Sequence, residues 1–335
     1  MPRLARIDAP GVIQHVIIRG IEKRAIFRDQ ADREDFMRRL EALIPETRTR
    51  CYAWVLMSNH AHFLFRCGLN GLPHLMQRLL TGYVVRFNRR HRRYGQLFQN
   101  RYKSIVCQED AYLKELVRYI HLNPVRAKMV DGLAGLKEYA YSGHRVLLGV
   151  GECPWQDDRY VLKQFGKGLR AARSRYLAFV EAGIDQGRRE DLTGGGLIRS
   201  LGGWLEVKRL GRSGRERVKG DERILGDTEF VSQILEQANE RLDRRYELAS
   251  RGWDGPKVAR RVADIYGIAA EELFRKGKNR HIAEARGLFC HWCRQELGLT
   301  VTALARMLSL TPAAVVYAAR RGERSAAKNG LLIEP

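Results

Sequence analysis

Two runs of strand-forming residues, 50–57 (RCYAWVLM) and 60–67 (HAHFLFRC), are separated by only Ser58 and Asn59. A link that short allows one arrangement. The runs must pair as an antiparallel hairpin, because parallel neighbours need a crossover of roughly a dozen residues or more. Other segments alternate around this hairpin. Residues 12–19 (VIQHVIIR) read as a strand stopped by Gly20, and residues 31–44 carry Phe36, Leu40, Leu43 and Ile44 at helical spacing. Residues 72–92 read as a long helix with Leu75, Leu79, Leu80, Val84 and Phe87 on one side. Residues 95–107 read as a fourth strand with an irregular start, and residues 109–123 as a third helix. The order β-α-β-β-α-β-α begins with the split βαβ, ferredoxin-like motif, in which the first and third strands are central. The expected fold class is therefore α+β, with this N-terminal domain followed by an all-α C-terminal region.

Side chains alternate faces along a strand, so His60 and His62 share one face, roughly 7 Å apart, while Ala61 points the other way. Two neutral imidazoles so placed can hold one divalent ion with open positions for a substrate oxygen. The competing reading is one packed and one solvated histidine at a strand start. If the third helix docks on the face that the first two helices leave open, it meets this pair. On that helix Tyr119 and Asn123 are four apart and share a side, beside the packing stripe of Leu113, Leu116, Val117 and Ile120. A tyrosine beside a metal can attack a phosphodiester, and the Asn123 carbonyl is a third ligand suited to Mg²⁺ or Mn²⁺. The competing reading of Tyr119 is a half-buried aromatic with a satisfied hydroxyl. His15 and His121 read as structural, out of phase with the chosen pair, and His74 and His91 as surface residues.

Lys and Arg number 60 against 38 Asp and Glu, a net charge of +22 spread along the chain. Such an excess points to a polyphosphate partner, most naturally nucleic acid. No basic amphipathic anchor, leader or apolar span is evident, so no membrane association is expected. The scattered cysteines suit a reducing cytoplasm, and Cys290 and Cys293, a C-x-x-C inside one helix, read as packed thiols. Residues 86–94 (RFNRRHRRY) interleave Arg89, Arg90 and other cations with aromatics, a composition that follows a phosphate backbone while rings stack on bases. Arg19, Lys23 and Arg24 after the first strand, Arg101 and Lys103 on the fourth, and Arg126 after the third helix are further expected DNA contacts.

Taken together these segments resemble the HUH single-strand nucleases, and within them the REP-associated tyrosine transposases. The likeness is carried by Arg19-Gly20 with Ile26-Phe27, by Ser58-Asn59-His60-Ala61-His62, by the run QNRYKS at 99–104 and by RYIHLNPVRA at 118–127, in that order over about the first 150 residues. This chain has Ile21 and Ser58 where family members often have asparagine and proline. The resemblance implies that His60 and His62 bind the metal, that Asn123 completes the site and that Tyr119 is the nucleophile. It also implies a single-stranded, hairpin-forming palindromic DNA substrate, a 5′-phosphotyrosine intermediate and a bacterial, nucleoid-associated location.

Farther along, residues 160–182 read as helical, and the glycine-rich stretches at 194–196, 202–203 and 211–220 as loops without the context of a nucleotide-binding P-loop, so no nucleotide cofactor is expected. From residue 229 a series of short helices follows. The pair at 301–308 and 311–321 reads as a helix-turn-helix, with Thr311 as cap, Pro312 in the first turn and Arg320-Arg321 at the basic end. This region resembles the C-terminal DNA-binding domain of the bacterial replication initiator; a small helical bundle with a basic surface is the alternative. The expected organisation is a catalytic domain over 1–150, a connector over 151–228 and a DNA-binding domain over 229–335. The expected function is that of a metal-dependent single-strand DNA endonuclease and strand transferase. The alternatives are a non-cleaving hairpin-DNA-binding regulator derived from such an enzyme and an RNA-binding protein.

Overall fold

In the computed structural model, strands β1 (Ile13–Arg19), β2 (Arg50–Leu56), β3 (His60–Arg66), β4 (Lys103–Cys107) and the short β5 (Ile224–Leu225) form one sheet in the order β2-β3-β1-β4-β5. The structure describes residues 7, 11–68, 71–187, 189, 192, 221, 223–275, 277 and 279–334, without the side chains of 239–246. They fall into two compact units, 1–236 and 237–335.

The hairpin expected between residues 50 and 67 is present, closed by a 2.8 Å bond from the Met57 amide to the His60 carbonyl. Its turn is tied down from outside, since the Ser58 carbonyl accepts from the amides of Ile26 and Phe27. Gly20 ends β1 where no side chain fits: a Cβ there would lie 2.0 Å from the Arg24 carbonyl oxygen. β1 and β3 are the central pair of the split βαβ arrangement, antiparallel with Ile17 opposite His62 and Arg19 opposite His60. β4 is shorter than the expected 95–107. The polar run Gln99-Asn100-Arg101 interrupts the apolar alternation, and only Lys103–Cys107 pairs with β1 as a strand.

The two faces of the sheet have separate cores. Val16, Ile18, Phe63 and Phe65 pack against Phe36 and Leu40 of helix α1 (Gln30–Thr47) and Leu75, Leu79 and Tyr83 of helix α2 (Gly71–Arg90). The opposite face presents Ile13 and Leu64 to Leu113, Leu116, Val117 and Ile120 of helix α3 (Glu109–His121), which therefore docks on the histidine-bearing side. Next come the short helices α4 (Asn123–Arg126), α5 (Gly132–Glu138), α6 (His144–Leu148) and α7 (Asp158–Lys163), and then α8 (Leu169–Glu181). Val161 of α7 and Tyr176 of α8 are buried in the same core as α3, and β5 pairs in parallel with β4. Much of the stretch 151–228 is thus built into the first unit. The glycine-rich loops expected at 194–196, 202–203 and 211–220 lie outside the described residues.

Helix α9 (Thr228–Ser250) contains the boundary between the units. The second unit continues with α10 (Gly255–Tyr266), α11 (Arg280–Gln295), α12 (Val301–Leu308) and α13 (Pro312–Asn329). Its helices start on side-chain caps: Asp254, Asn279, Thr300 and Thr311 each accept a bond from a first-turn amide. Val262, Leu288, Phe289, Trp292, Leu304 and Val315 form its core, and Cys290 and Cys293 are buried there. α12 and α13 meet at 97° across Ser309, Leu310 and Thr311, with Ser309 at φ 50°. No single helix among the described residues is long and apolar enough to cross a membrane.

Candidate active site

The central strands carry the site. Ile17 and Arg19 of β1 and His60 and His62 of β3 share the face toward α3, because each pair is in register across the ladder. The two imidazole rings lie 5.2 Å apart. His60 Nδ1 is 2.6 Å from Asn59 Oδ1, and the Asn59 amide is itself held by the Lys23 carbonyl at 3.0 Å. His62 Nδ1 is 2.9 Å from His15 Nε2. Each imidazole thus has its Nδ1 engaged with a neighbour.

Burial also keeps these rings uncharged. His60 is pushed down to about 4 by burial and then by the Arg19 guanidinium. His62 is lowered well below 6.5, chiefly by burial and then by His15, His60 and Arg19. A metal needs the neutral imidazole, so the donor set fits a divalent ion at neutral pH.

α3 brings the other components. Leu113, Leu116, Val117 and Ile120 anchor it, while Tyr119, at the margin of that stripe, turns its ring to the histidines. The Tyr119 ring lies 6.0 Å from that of His62 and 5.8 Å from that of His15, edge-on to both. Pro124 opens the next short helix, so Asn123 falls at the junction of α3 and α4. The Asn123 amide nitrogen donates to the carbonyls of Tyr119 and Ile120, so these two bonds do not use its Oδ1. The Arg126 guanidinium sits 5.3 Å from the Tyr119 ring centre and is half-buried. His60, His62, Tyr119, Asn123, Arg19, Lys103 and Arg126 all line one cavity of about 840 Å³, together with Gln99, Asn100 and Tyr102.

The other expected DNA contacts lie elsewhere. Lys23, Arg24, Arg89 and Arg101 are exposed but do not line this cavity, and Arg24 is paired with Glu22 at 2.7 Å. Arg90 is committed to structure: its guanidinium bonds Asp29 at 2.7 Å and Asp32 at 2.6 Å, clamping the end of α2 to the start of α1. His91 joins that clamp, 2.8 Å from Asp32, and is largely buried rather than on the surface. Asp29, Asp32 and His91 are close enough to share an ion. Arg90 already supplies the positive charge there, so a cation would have to displace it. Thr311, Arg320 and Arg321 belong to the second unit, where Thr311 caps α13, Arg320 is half-buried and Arg321 is exposed.

His15 is the residue whose place the sequence reading missed. It lies on the same face as His60 and His62, fully buried, and touches both His62 and Tyr119. Strand alternation puts His15, Ile17 and Arg19 on one side. Only the register with β3 puts that side on the histidine pair.

Residues 9–123 match the family model described as "Transposase IS200 like". The match takes in β1 to β4 and α1 to α3 and ends on Asn123. One solved structure, described as the REP-associated tyrosine transposase bound to a REP hairpin, is similar at 16% identity, covering 46% of this chain and 91% of that one, with a TM-score of 0.38. A similarity that slight carries no argument about function. No curated protein matches the chain. The family match falls on the segment, residues 9–123, that supplies both histidines, the tyrosine and the asparagine.

Proposed function

We propose that the protein is a metal-dependent single-strand DNA endonuclease and strand transferase that acts on hairpin-forming DNA through Tyr119. The observation that carries this reading is the convergence of His60, His62, Tyr119 and Asn123 on one cavity flanked by Arg19, Lys103 and Arg126. His60 and His62 offer Nε2, and Asn123 offers Oδ1, to a divalent ion such as Mg²⁺ or Mn²⁺. When bound there, the ion would withdraw charge from the phosphoryl oxygens.

The chain's own residues do the rest. Arg19 and Lys103 draw the phosphodiester to the mouth of the cavity. Arg126, beside the phenol, favours negative charge on its oxygen as Tyr119 attacks phosphorus. The new bond joins the tyrosine oxygen to phosphorus, and the bond from phosphorus to the 3′-oxygen breaks. The phenolic proton is balanced by the proton gained by the departing 3′-hydroxyl. The product is a 5′-phosphotyrosine, and attack by a second 3′-hydroxyl reverses the step and joins strands. The ester conserves the bond energy, so no nucleotide cofactor is required. The second unit, through Thr311, Arg320 and Arg321, adds duplex or hairpin affinity. The setting is the cytoplasm of a bacterium, at the nucleoid.

The test is incubation with labelled single-stranded hairpin DNA and Mg²⁺ or Mn²⁺, followed by denaturing gels. A covalent adduct should form with the native chain and vanish in Tyr119→Phe. An adduct that survives in that variant removes Tyr119 as nucleophile. Tight hairpin binding with no adduct in the native chain would favour a non-cleaving regulator.

A further inference from the structure

The buried hydrogen bond between His15 and His62 crosses from β1 to β3 beneath the cavity. His15 does not line that cavity and is fully buried. Its ring stacks on His62 at 5.2 Å and meets Tyr119 edge-on at 5.8 Å, so it is wedged between the ligand ring and the attacking ring. We propose that His15 is the positioning residue of the site: it holds His62 in the tautomer that leaves Nε2 bare toward the cavity. This rests on the metal-site reading given above.

The chemistry follows from proton counting. A neutral imidazole carries one N–H, and it can ligate a cation only through its bare nitrogen. The contact uses His62 Nδ1 and His15 Nε2. If His62 carries its hydrogen on Nδ1, it donates to His15 Nε2, and its own Nε2 is bare. His15 must then keep its hydrogen on Nδ1, a buried atom that has no hydrogen-bond partner among the described residues; the Leu192 backbone favours a proton on this ring. The reverse arrangement, with His15 donating, would put the His62 hydrogen on Nε2 and close that atom to a cation. A ligand imidazole ordinarily gives its second N–H to a carboxylate, a carbonyl or water. Here the acceptor is another imidazole. It brings no formal charge into a layer that also contains Ile13, Leu64 and Val117. Asn59 plays the same part for His60 from the exposed side.

The tautomers can be read directly by ¹⁵N–¹H long-range correlation spectra of the metal-free protein. His62 should be the Nδ1–H form in the native chain and in His15→Gln, whose Oε1 can replace His15 Nε2 as acceptor. It should be a mixture in His15→Leu. Mn²⁺ affinity, measured by electron paramagnetic resonance without DNA, should fall about 10- to 100-fold in His15→Leu and recover to within a few-fold in His15→Gln. His62 in the Nε2–H form in the native protein overturns the proposal, and this measurement decides even if His15→Leu does not fold. So does a folded His15→Leu that binds Mn²⁺ within twofold of native while His62→Ala loses it. If His60→Ala and His62→Ala also bind like native, the metal-site reading itself fails, and this inference with it.

Discussion

Asn123 donates its side-chain amide to the carbonyl oxygen of Tyr119 at 2.9 Å. A second bond, to Ile120 at 3.2 Å, fixes the amide plane. The side chain that offers Oδ1 to the cavity is therefore locked to the backbone of the residue that carries the phenol. Under the proposed function, Asn123→Ala removes both the ligand atom and the lock. Adduct formation on hairpin DNA should slow on the order of 100-fold, the scale expected when reacting groups are misplaced. Asn123→Asp restores an oxygen ligand but no donor, so it should recover Mn²⁺ affinity better than rate. Single-turnover kinetics beside Mn²⁺ titration would show this, and equal recovery of both would assign Asn123 to ligation alone.

A second buried network pins the end of α3 to the helices behind it. The Tyr176 hydroxyl is 2.7 Å from His121 Nδ1 and 2.6 Å from His144 Nδ1. Burial lowers His144 from 6.5 to about 4 and pushes His121 down as well. The folded state therefore takes up these protons later than the unfolded chain as pH falls. Stability is full above about 6.5 and is lost as pH drops toward 4, by about 3 kcal/mol from His144 alone. Thermal melts across that window should show the loss, and His144→Gln should flatten it. An unchanged slope in that variant would place the sensitivity elsewhere.

In the second unit α11 and α13 cross where two glycines face each other. A Cβ on Gly322 would sit 1.9 Å from the Gly287 carbonyl oxygen, a backbone atom that cannot swing aside. An alanine in a helix gains up to about 1 kcal/mol over glycine in propensity. Overpacking costs about 1–3 kcal/mol, and more where backbone is displaced. The clash should win, so Gly322→Ala is expected to destabilise the second unit by about 1–3 kcal/mol in urea titrations. A stabilised variant would mean that the helices separate without cost.

Arg321 is exposed on α13, after the turn capped by Thr311. If this helix contacts DNA phosphate, Arg321→Ala should weaken hairpin binding and reduce the slope of log affinity against log salt by about 0.9. Cleavage of bound DNA should stay at the native rate. An unaltered salt slope would take Arg321 out of the interface.

Much of this protein was legible before its fold was known. The order of strands and helices in residues 12–123, the hairpin at Ser58-Asn59 and the shared faces of His60 with His62 and of Tyr119 with Asn123 all follow from local periods of two and 3.6 residues. Those periods are set by backbone geometry and need no tertiary contact. What they cannot convey is register between distant strands. His15 and His62 are 47 residues apart, and only the pairing of β1 with β3 puts Ile17 opposite His62 and His15 diagonally beneath it. For the same reason Arg90 and His91 read as members of a basic surface run. The packing of α2 on α1 gives them to Asp29 and Asp32 instead. Local pattern determined which side chains share a face; long-range packing decided which of them meet, and which are held in place by neighbours remote in sequence.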